Sequence, residues 1–297
     1  MEKVFLVDAY ALIFRFYYAF IGRPMRNAAG VNTSAVFGFV KFLKDLILRE
    51  RPHYLGVAFD PPGGNFRHEL YADYKANRSE TPEDIVASVP YIKQVLEAMR
   101  IPVLEIPGYE ADDVIGTLSQ KAAAAGYEVF MVTPDKDYGQ LIRPAVRIYK
   151  QRKGGADGIE IIGCEQIREH YGIDDPCRVI DVLALWGDAS DNIPGVPGIG
   201  EKTALALISK FGSLQGVYDN IEDKAVKPGQ RAKLTANRDK ADLSYMLGTI
   251  RKDAPIETDP AAYLRQPGDP AAAAQLLAAL EMHKLVDRWG LNGGTAP

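Results

Sequence analysis

Cysteine is nearly absent from this 297-residue chain, which holds only Cys164 and Cys177. Two thiols are too few for a disulfide framework or a four-ligand zinc site, and they suit a reducing compartment. Long apolar runs are missing as well. The run at 4–7 is stopped by Asp8 and the next, at 9–22, contains Arg15; no stretch approaches the roughly 18 uninterrupted apolar residues of a membrane span. Neither a secretory leader nor a span is expected, and the protein reads as cytoplasmic with no membrane partner. There is no G-x-S-x-G elbow and no G-x-x-x-x-G-K-[ST] phosphate loop. Asp8 is followed by Ala9 and Tyr10, not by the D-x-D of an aspartyl-phosphate phosphatase. Repeats and low-complexity tracts are lacking, and 47% hydrophobic with 25% charged residues describes an ordinary globular chain with a substantial core. Positive charge is not in excess either: the formal net charge of −4 argues at face value against a nucleic-acid partner.

Against these absences stands a regular alternation. Short β-branched or aromatic runs at 3–7, 54–59, 103–106 and 128–133 alternate with helical patterns at 33–49, 82–100 and 112–125. Alternation of this kind requires crossovers, so the expected fold class is α/β with a mostly parallel central sheet flanked by helices. Further strands are expected at 146–149 and 159–162, joined by a polar turn at 152–158 (RKGGADG). From about 179 only helices are expected, at 179–186, 201–211, 230–237, 240–250 and 271–288, with a turn near 214–218. A boundary near Leu185 therefore divides a core, 1–185, from an all-α part, 186–297. The tail 292–297 (NGGTAP) is linker-like, so the chain is either whole or the amino-terminal piece of a longer one.

Acid is concentrated where strands end. Asp8, Asp60, and Asp135 with Asp137 follow three separate strands, at the edge where open α/β sheets bind ligands. Glu110, Asp112 and Asp113 start a helix, and Asp188 and Asp191 lie in the turn after Trp186. Singly, each has an ordinary explanation as a cap or turn residue. Nine carboxylates on one edge, however, repel one another unless they take up protons or cations. With no His or Cys nearby, all-oxygen ligation favours Mg²⁺ or Mn²⁺. Two or more such ions suit phosphodiester hydrolysis, one lowering the pKa of the attacking water while the pair stabilises entering and leaving oxygens.

Two further segments carry alternatives that the sequence leaves open. The stretch 193–204 (IPGVPGIGEKTA) places glycines in a turn opening onto a helix, either a plain helix–turn–helix corner or a grip for a phosphate with carbonyls for a monovalent cation. Residues 200–252 hold ten Lys/Arg against six Asp/Glu, which suits either duplex backbone contact or a solvated helix face. The segment 67–78 interleaves Arg67, Lys75 and Arg78 with Tyr71 and Tyr74, a pattern of either single-strand threading or an exposed polar loop.

Taken in order, Asp8, Phe59-Asp60, 66–78 (FRHELYADYKANR), 109–114 (YEADDV), Asp135-Lys136-Asp137 and 187–204 (GDASDNIPGVPGIGEKTA) closely resemble the bacterial 5′-nucleases, the amino-terminal domain of DNA polymerase I and the related flap endonucleases. The likeness runs from about Lys3 to Leu247 and rests on six separated motifs agreeing in type and spacing. It implies a PIN-like core with a helical arch at about 66–100 and a helix–three-turn–helix element in the all-α part. It further implies Asp8, Asp60, Glu110, Asp112 and Asp113 around a first Mg²⁺, and Asp135, Asp137, Asp188 and Asp191 around a second, with Mn²⁺ able to substitute. Lys75 resembles the catalytic lysine facing the scissile phosphate, and Arg78 its partner one turn on. Arg67, Tyr71 and Tyr74 would meet DNA, Tyr74 stacking on the terminal base. Gly195, Gly198, Gly200, Lys202 and Thr203 would grip the duplex backbone beside a K⁺. Ala9, where many members carry glycine, and Pro134 ahead of Asp135 depart from the pattern without touching the acids.

The implied activity is structure-selective 5′-3′ exonuclease and flap endonuclease cleavage of flapped or nicked DNA and of RNA primers, for replication and repair, by a monomer. A PIN-like ribonuclease would share the acidic edge, and a non-catalytic duplex-binding module would keep the glycine turn. Setting nine acids aside for metal turns the formal balance from −4 to +5, which removes the objection from composition.

Overall fold

The computed structural model describes residues 2–152 and 158–289. Six strands, β1 (Lys3–Asp8), β2 (Tyr54–Ala58), β3 (Val103–Leu104), β4 (Glu128–Val132), β5 (Val146–Gln151) and β6 (Ile159–Ile162), form one sheet in the order β3-β2-β1-β4-β5-β6. All pairs are parallel except β5 with β6. The expected turn at 152–158 falls mostly, and the tail at 292–297 entirely, outside the described residues.

The helices are α1 (Ala9–Ala19), α2 (Ser34–Glu50), α3 (Phe66–Leu70), α4 (Glu83–Ala98), α5 (Ala111–Ala124), α6 (Cys164–Tyr171), α7 (Val179–Trp186), α8 (Glu201–Phe211), α9 (Leu214–Asp219), α10 (Pro228–Ala236), α11 (Arg238–Gly248), α12 (Pro270–Ala279) and α13 (His283–Trp289). Among the described residues no helix is long and apolar enough to cross a membrane.

Because successive side chains of a strand point to opposite faces, the continuous apolar run of β1 serves two cores. Phe5 and Val7 pack with Leu55, Val57 and Phe130 under α1, α2, α4, α12 and α13. Val4 and Leu6 pack with Val129, Met131 and Ile148 against α5, α7 and α8. That second core runs without a break into the all-α part through Val196, Ile199, Ala204 and Leu207.

Three expected elements differ, the first being the turn expected near 214–218, which is the short helix α9 capped by Ser213. The helix expected over 271–288 is two, α12 and α13, because Glu281 takes a left-handed conformation and Leu280 and Met282 turn inward to the core. The expected helical arch is helical only at α3 and α4, with turns over 71–78. Lys75 there is left-handed, with φ 56, and its N–H donates to the Asp191 carbonyl at 2.9 Å. That bond draws the segment down onto the sheet edge.

Candidate active site

β1, β2 and β4 lie side by side and parallel, so their carboxyl ends open on one edge. Asp8 ends β1 and caps α1, accepting the Ala11 N–H at 3.1 Å. Its other oxygen accepts the hydroxyls of Tyr138 at 3.0 Å and Thr133 at 3.2 Å. Asp60, just past β2, accepts the Ala111 N–H at 2.7 Å and so pulls the start of α5 onto the same edge. Glu110, the N-cap of α5, accepts from Asn65 at 2.7 Å, Lys75 at 2.7 Å and Tyr74 at 3.1 Å.

The second group of acids faces the first. Asp135 accepts the Asp137 N–H at 2.9 Å in the turn after β4. Asp188, past the end of α7, accepts Ser190 N–H at 2.8 Å and Lys136 Nζ at 2.7 Å. Asp191 pairs with Arg78 and stands 3.8 Å from Lys75. The Lys75 ammonium therefore touches both groups, Glu110 on one side and Asp191 on the other.

Burial sets these acids apart electrostatically. Desolvation, then the neighbouring Asp60, pushes Asp8 up to about 7. Desolvation followed by Asp113 raises Asp112, and desolvation followed by Asp135 raises Asp137, both well above the usual carboxylate range. Glu110 and Asp188 are also buried, but Lys75 with Arg67 outweighs that for Glu110, and Lys136 with Ser190 for Asp188, so both are held low. The edge is thus divided into carboxylates whose cationic partners outweigh burial and carboxylates for which they do not, Asp137 with Lys136 only 3.7 Å away among the latter.

An acid whose pKa is raised on folding stabilises the fold below its unfolded value and loses that contribution as pH climbs through the folded value. For Asp8 the window is from about 4 to about 7. In EDTA the protein is expected to melt several degrees higher at pH 5 than at pH 8, with Mg²⁺ shrinking the gap. A melting temperature in EDTA that is flat or rises between those pH values would refute it.

A divalent cation fits the acids that burial holds high. Oδ1 of Asp112 and Oδ1 of Asp137 are buried without a hydrogen-bond partner among the described residues, although Lys136 lies 3.7 Å from the latter, an expensive state for an anion that a proton or a cation relieves. All nine acids lie at this edge or in the segments bordering it. Among the described residues, however, no three ligating side chains stand in metal-binding geometry; Glu110, Asp188 and Asp191 are turned onto Lys75, Lys136 and Arg78.

Several expected roles are corrected by the geometry. Arg67, expected at the DNA, is 1% exposed and grips Asp113 with two 2.8 Å bonds. Asp113, expected at the first ion, is fully buried and spends both oxygens on Arg67 and on the N–H groups of Glu110 and Arg251. Tyr74, expected to stack on a base, is 3% exposed with its hydroxyl on Glu110. Gly195, expected at the duplex backbone, is buried and its N–H donates to Ser244 at 2.9 Å. A Cβ on Gly195 would lie 2.4 Å from the nitrogen of Gly187, so the two backbones touch. Gly198, Gly200 and Lys202 remain exposed at the start of α8, with Thr203 half-buried there, and Tyr71 is half-buried over Tyr74. Lys75 and Arg78 lie in a turn and not on one helix face.

Sequence reasoning passed over Asn65, Thr133, Lys136 and Tyr138. Lys136 and Tyr138 flank Asp137 in the chain, and Asn65 precedes a helix as a cap should; these positions were the available signals.

The profile of the 5′-3′ exonuclease N-terminal resolvase-like domain matches residues 3–172. The chain belongs to the 5′-3′ exonuclease family. The family's C-terminal SAM fold matches 175–271. A 5′-3′ exonuclease of Aquifex aeolicus is 36% identical over 257 residues, covering 86% of this chain and 84% of that protein. DNA polymerase I of Deinococcus radiodurans is 40% identical over 294 residues, 98% of this chain but 30% of the polymerase. The chain thus spans about a third of the length of the DNA polymerase I relatives it matches. T5 5′-exonuclease, solved with bound zinc, shares the fold with a TM-score of 0.68 at 21% identity over 97% of both chains. The catalytic core of Rad2 in complex with DNA superposes at 0.64 and 20% identity, over 97% of this chain and 91% of that one. The family's six-stranded, mostly parallel sheet with a helical carboxyl-terminal part is the fold described above.

Proposed function

We propose that this chain is a structure-selective 5′-3′ exonuclease and flap endonuclease that hydrolyses phosphodiesters of 5′-flapped or nicked DNA and of RNA primers. The observation that carries the reading is the Lys75 ammonium, 2.7 Å from Glu110 and 3.8 Å from Asp191, at a point where both acid groups meet. The residues that would hold Mg²⁺, or Mn²⁺ in its place, are Asp8, Asp60, Glu110 and Asp112 on one side and Asp135, Asp137, Asp188 and Asp191 on the other. Bound there, such ions supply a lowered pKa for an attacking water and positive charge for the phosphate.

The chain's own residues do the rest. Asp8 and Asp60 are fixed by the N–H groups of Ala11 and Ala111, so their positions are set by the folded sheet and helices. Lys75, released from Glu110 as charge is taken up by the acids, is placed to face the scissile phosphate, with Arg78 beside it. Cleavage leaves a 5′-phosphate on the product. The core at 1–185, joined by Asp188 and Asp191 from just past its boundary, carries this chemistry, and the part from 186 holds duplex through Gly198, Gly200, Lys202 and Thr203 at the start of α8, where a K⁺ would sit among turn carbonyls. The metal-bound T5 enzyme and DNA-bound Rad2 core, which share the fold, support this reading.

The test is product analysis on a labelled 5′-flap. With Mg²⁺, short 5′-phosphorylated products are expected; with EDTA, none. Equal cutting of single-stranded RNA and flapped DNA would favour a PIN-like ribonuclease instead, and cutting in EDTA would remove the metals.

A further inference from the structure

Among the charged groups outside the chemistry just described, one on the short helix α3 is far more deeply buried than an arginine in a polar stretch should be. The Arg67 guanidinium donates through Nε to the Leu247 carbonyl at 2.8 Å and through Nη2 to the Thr249 carbonyl at 3.0 Å. Its other hydrogen bonds are the two to Asp113, and its Nη1 also stands 3.5 Å from the Glu110 carboxylate. Arg67 therefore closes three places at once: the base of the 66–78 segment, the first turn of α5, and the carboxyl end of α11, whose last carbonyls lack helical partners. Asp113 passes this on, because it also accepts the Glu110 N–H at 3.1 Å in a capping box and the Arg251 N–H at 2.8 Å. Gln140 adds a second tie to the same stretch, through the Gly248 carbonyl and the Ile250 N–H.

We propose that Arg67 and Asp113 form a positioning pair that fixes Glu110 for its divalent ion and ties that setting to the end of α11. The pair touches neither DNA nor the ion. Its reach is what separates it from an ordinary buried salt bridge: one end holds the backbone N–H of an acid at the reaction edge, the other the helix that follows the basic α10. Arg is required because the planar fork serves Asp113 and two carbonyls together, which a lysine ammonium does not reproduce. The inference rests on the reading of the acids as a metal site.

Two variants of the whole chain test it, with Mn²⁺ titrated calorimetrically into EDTA-stripped, DNA-free protein. Arg67→Lys is expected to weaken Mn²⁺ binding roughly tenfold, the scale of lost support behind a metal ligand, and to lower kcat for a 5′-flap while KM stays level. Arg67→Met combined with Asp113→Leu replaces the pair by apolar volume and is expected to fold but to melt lower, since the Leu247 and Thr249 carbonyls and the Glu110 and Arg251 N–H groups lose their partners, and to bind Mn²⁺ as weakly as Arg67→Lys. Full recovery of Mn²⁺ affinity in the double variant would reduce the pair to a structural contact and overturn the proposal. So would Arg67→Lys weakening flap binding in EDTA with Mn²⁺ affinity intact, which makes Arg67 a DNA contact. Should Arg67→Lys fail to fold, the double variant decides alone. Wild-type protein that takes up no Mn²⁺ would sink the metal reading itself, whereas normal uptake in wild type and both variants would sink only the pair.

Discussion

Asp137→Asn is expected to abolish cleavage of a labelled 5′-flap in Mg²⁺, by roughly 10³-fold or more, while the flap is still bound in Ca²⁺. The size follows from the several kcal/mol of charge stabilisation a catalytic divalent ion supplies, at about 1.4 kcal/mol per tenfold in rate. The substitution is nearly isosteric, and Asp137 Oδ1 makes no hydrogen bond among the described residues, so the exchange loses only a long, 3.7 Å ion pair with Lys136. Burial and Asp135 both disfavour the charge at this position. The metal-free variant should therefore be at least as stable as the wild type, which keeps loss of fold from imitating loss of chemistry. Retained turnover in Mg²⁺ would remove Asp137 from the site.

Lys75→Ala should separate two jobs that one side chain performs. In the structure its ammonium satisfies Glu110 and approaches Asp191, standing between the two acid groups like a cation. In the proposed reaction it faces the scissile phosphate. Its removal is expected to lower kcat by roughly 10²-fold to 10³-fold, as for other preorganised charge stabilisers. Duplex affinity should change little, and Mn²⁺ affinity should rise, because a competing positive charge is gone. Single-turnover cleavage, flap binding in Ca²⁺ and Mn²⁺ titration measure the three quantities. Equal losses of rate and of duplex affinity would make Lys75 a docking residue.

The acids at the strand ends could be read from the sequence because the rule behind them is local. A strand of apolar residues followed by an acid places that acid at the carboxyl edge whatever the rest of the chain does. The same holds for α8, read at both ends because Gly200 and Gly212 punctuate it. Arg67 and Tyr74 escaped for the opposite reason. A cation and an aromatic in a polar stretch look exposed unless their partners are known, and those partners, Asp113, Leu247 and Glu110, are far along the chain. The break between α12 and α13 carries neither glycine nor proline; it is imposed by the burial of Leu280 and Met282, a tertiary demand that overrides an alanine-rich helical pattern. Recognition of the motifs could give the family of the 66–78 segment, but not the downward turn that the Lys75 backbone makes toward Asp191.

Gly187 and Gly195 meet backbone to backbone, and the chain between them closes on itself through the Asp188–Ile193 pairing. Such a loop is a lasso with a riveted neck. Neither rivet tolerates even a methyl group, since a Cβ on Gly187 would come within 2.7 Å of the Ile193 carbonyl oxygen. Load applied at the exposed Gly198–Gly200 end reaches Gly187, one residue short of Asp188, through Gly195 and through the Val196 N–H bond to the Leu185 carbonyl. The reach of the outer turn and the aim of an acid at the reaction edge are thus set by one mechanical joint, built where the protein has no side chain at all.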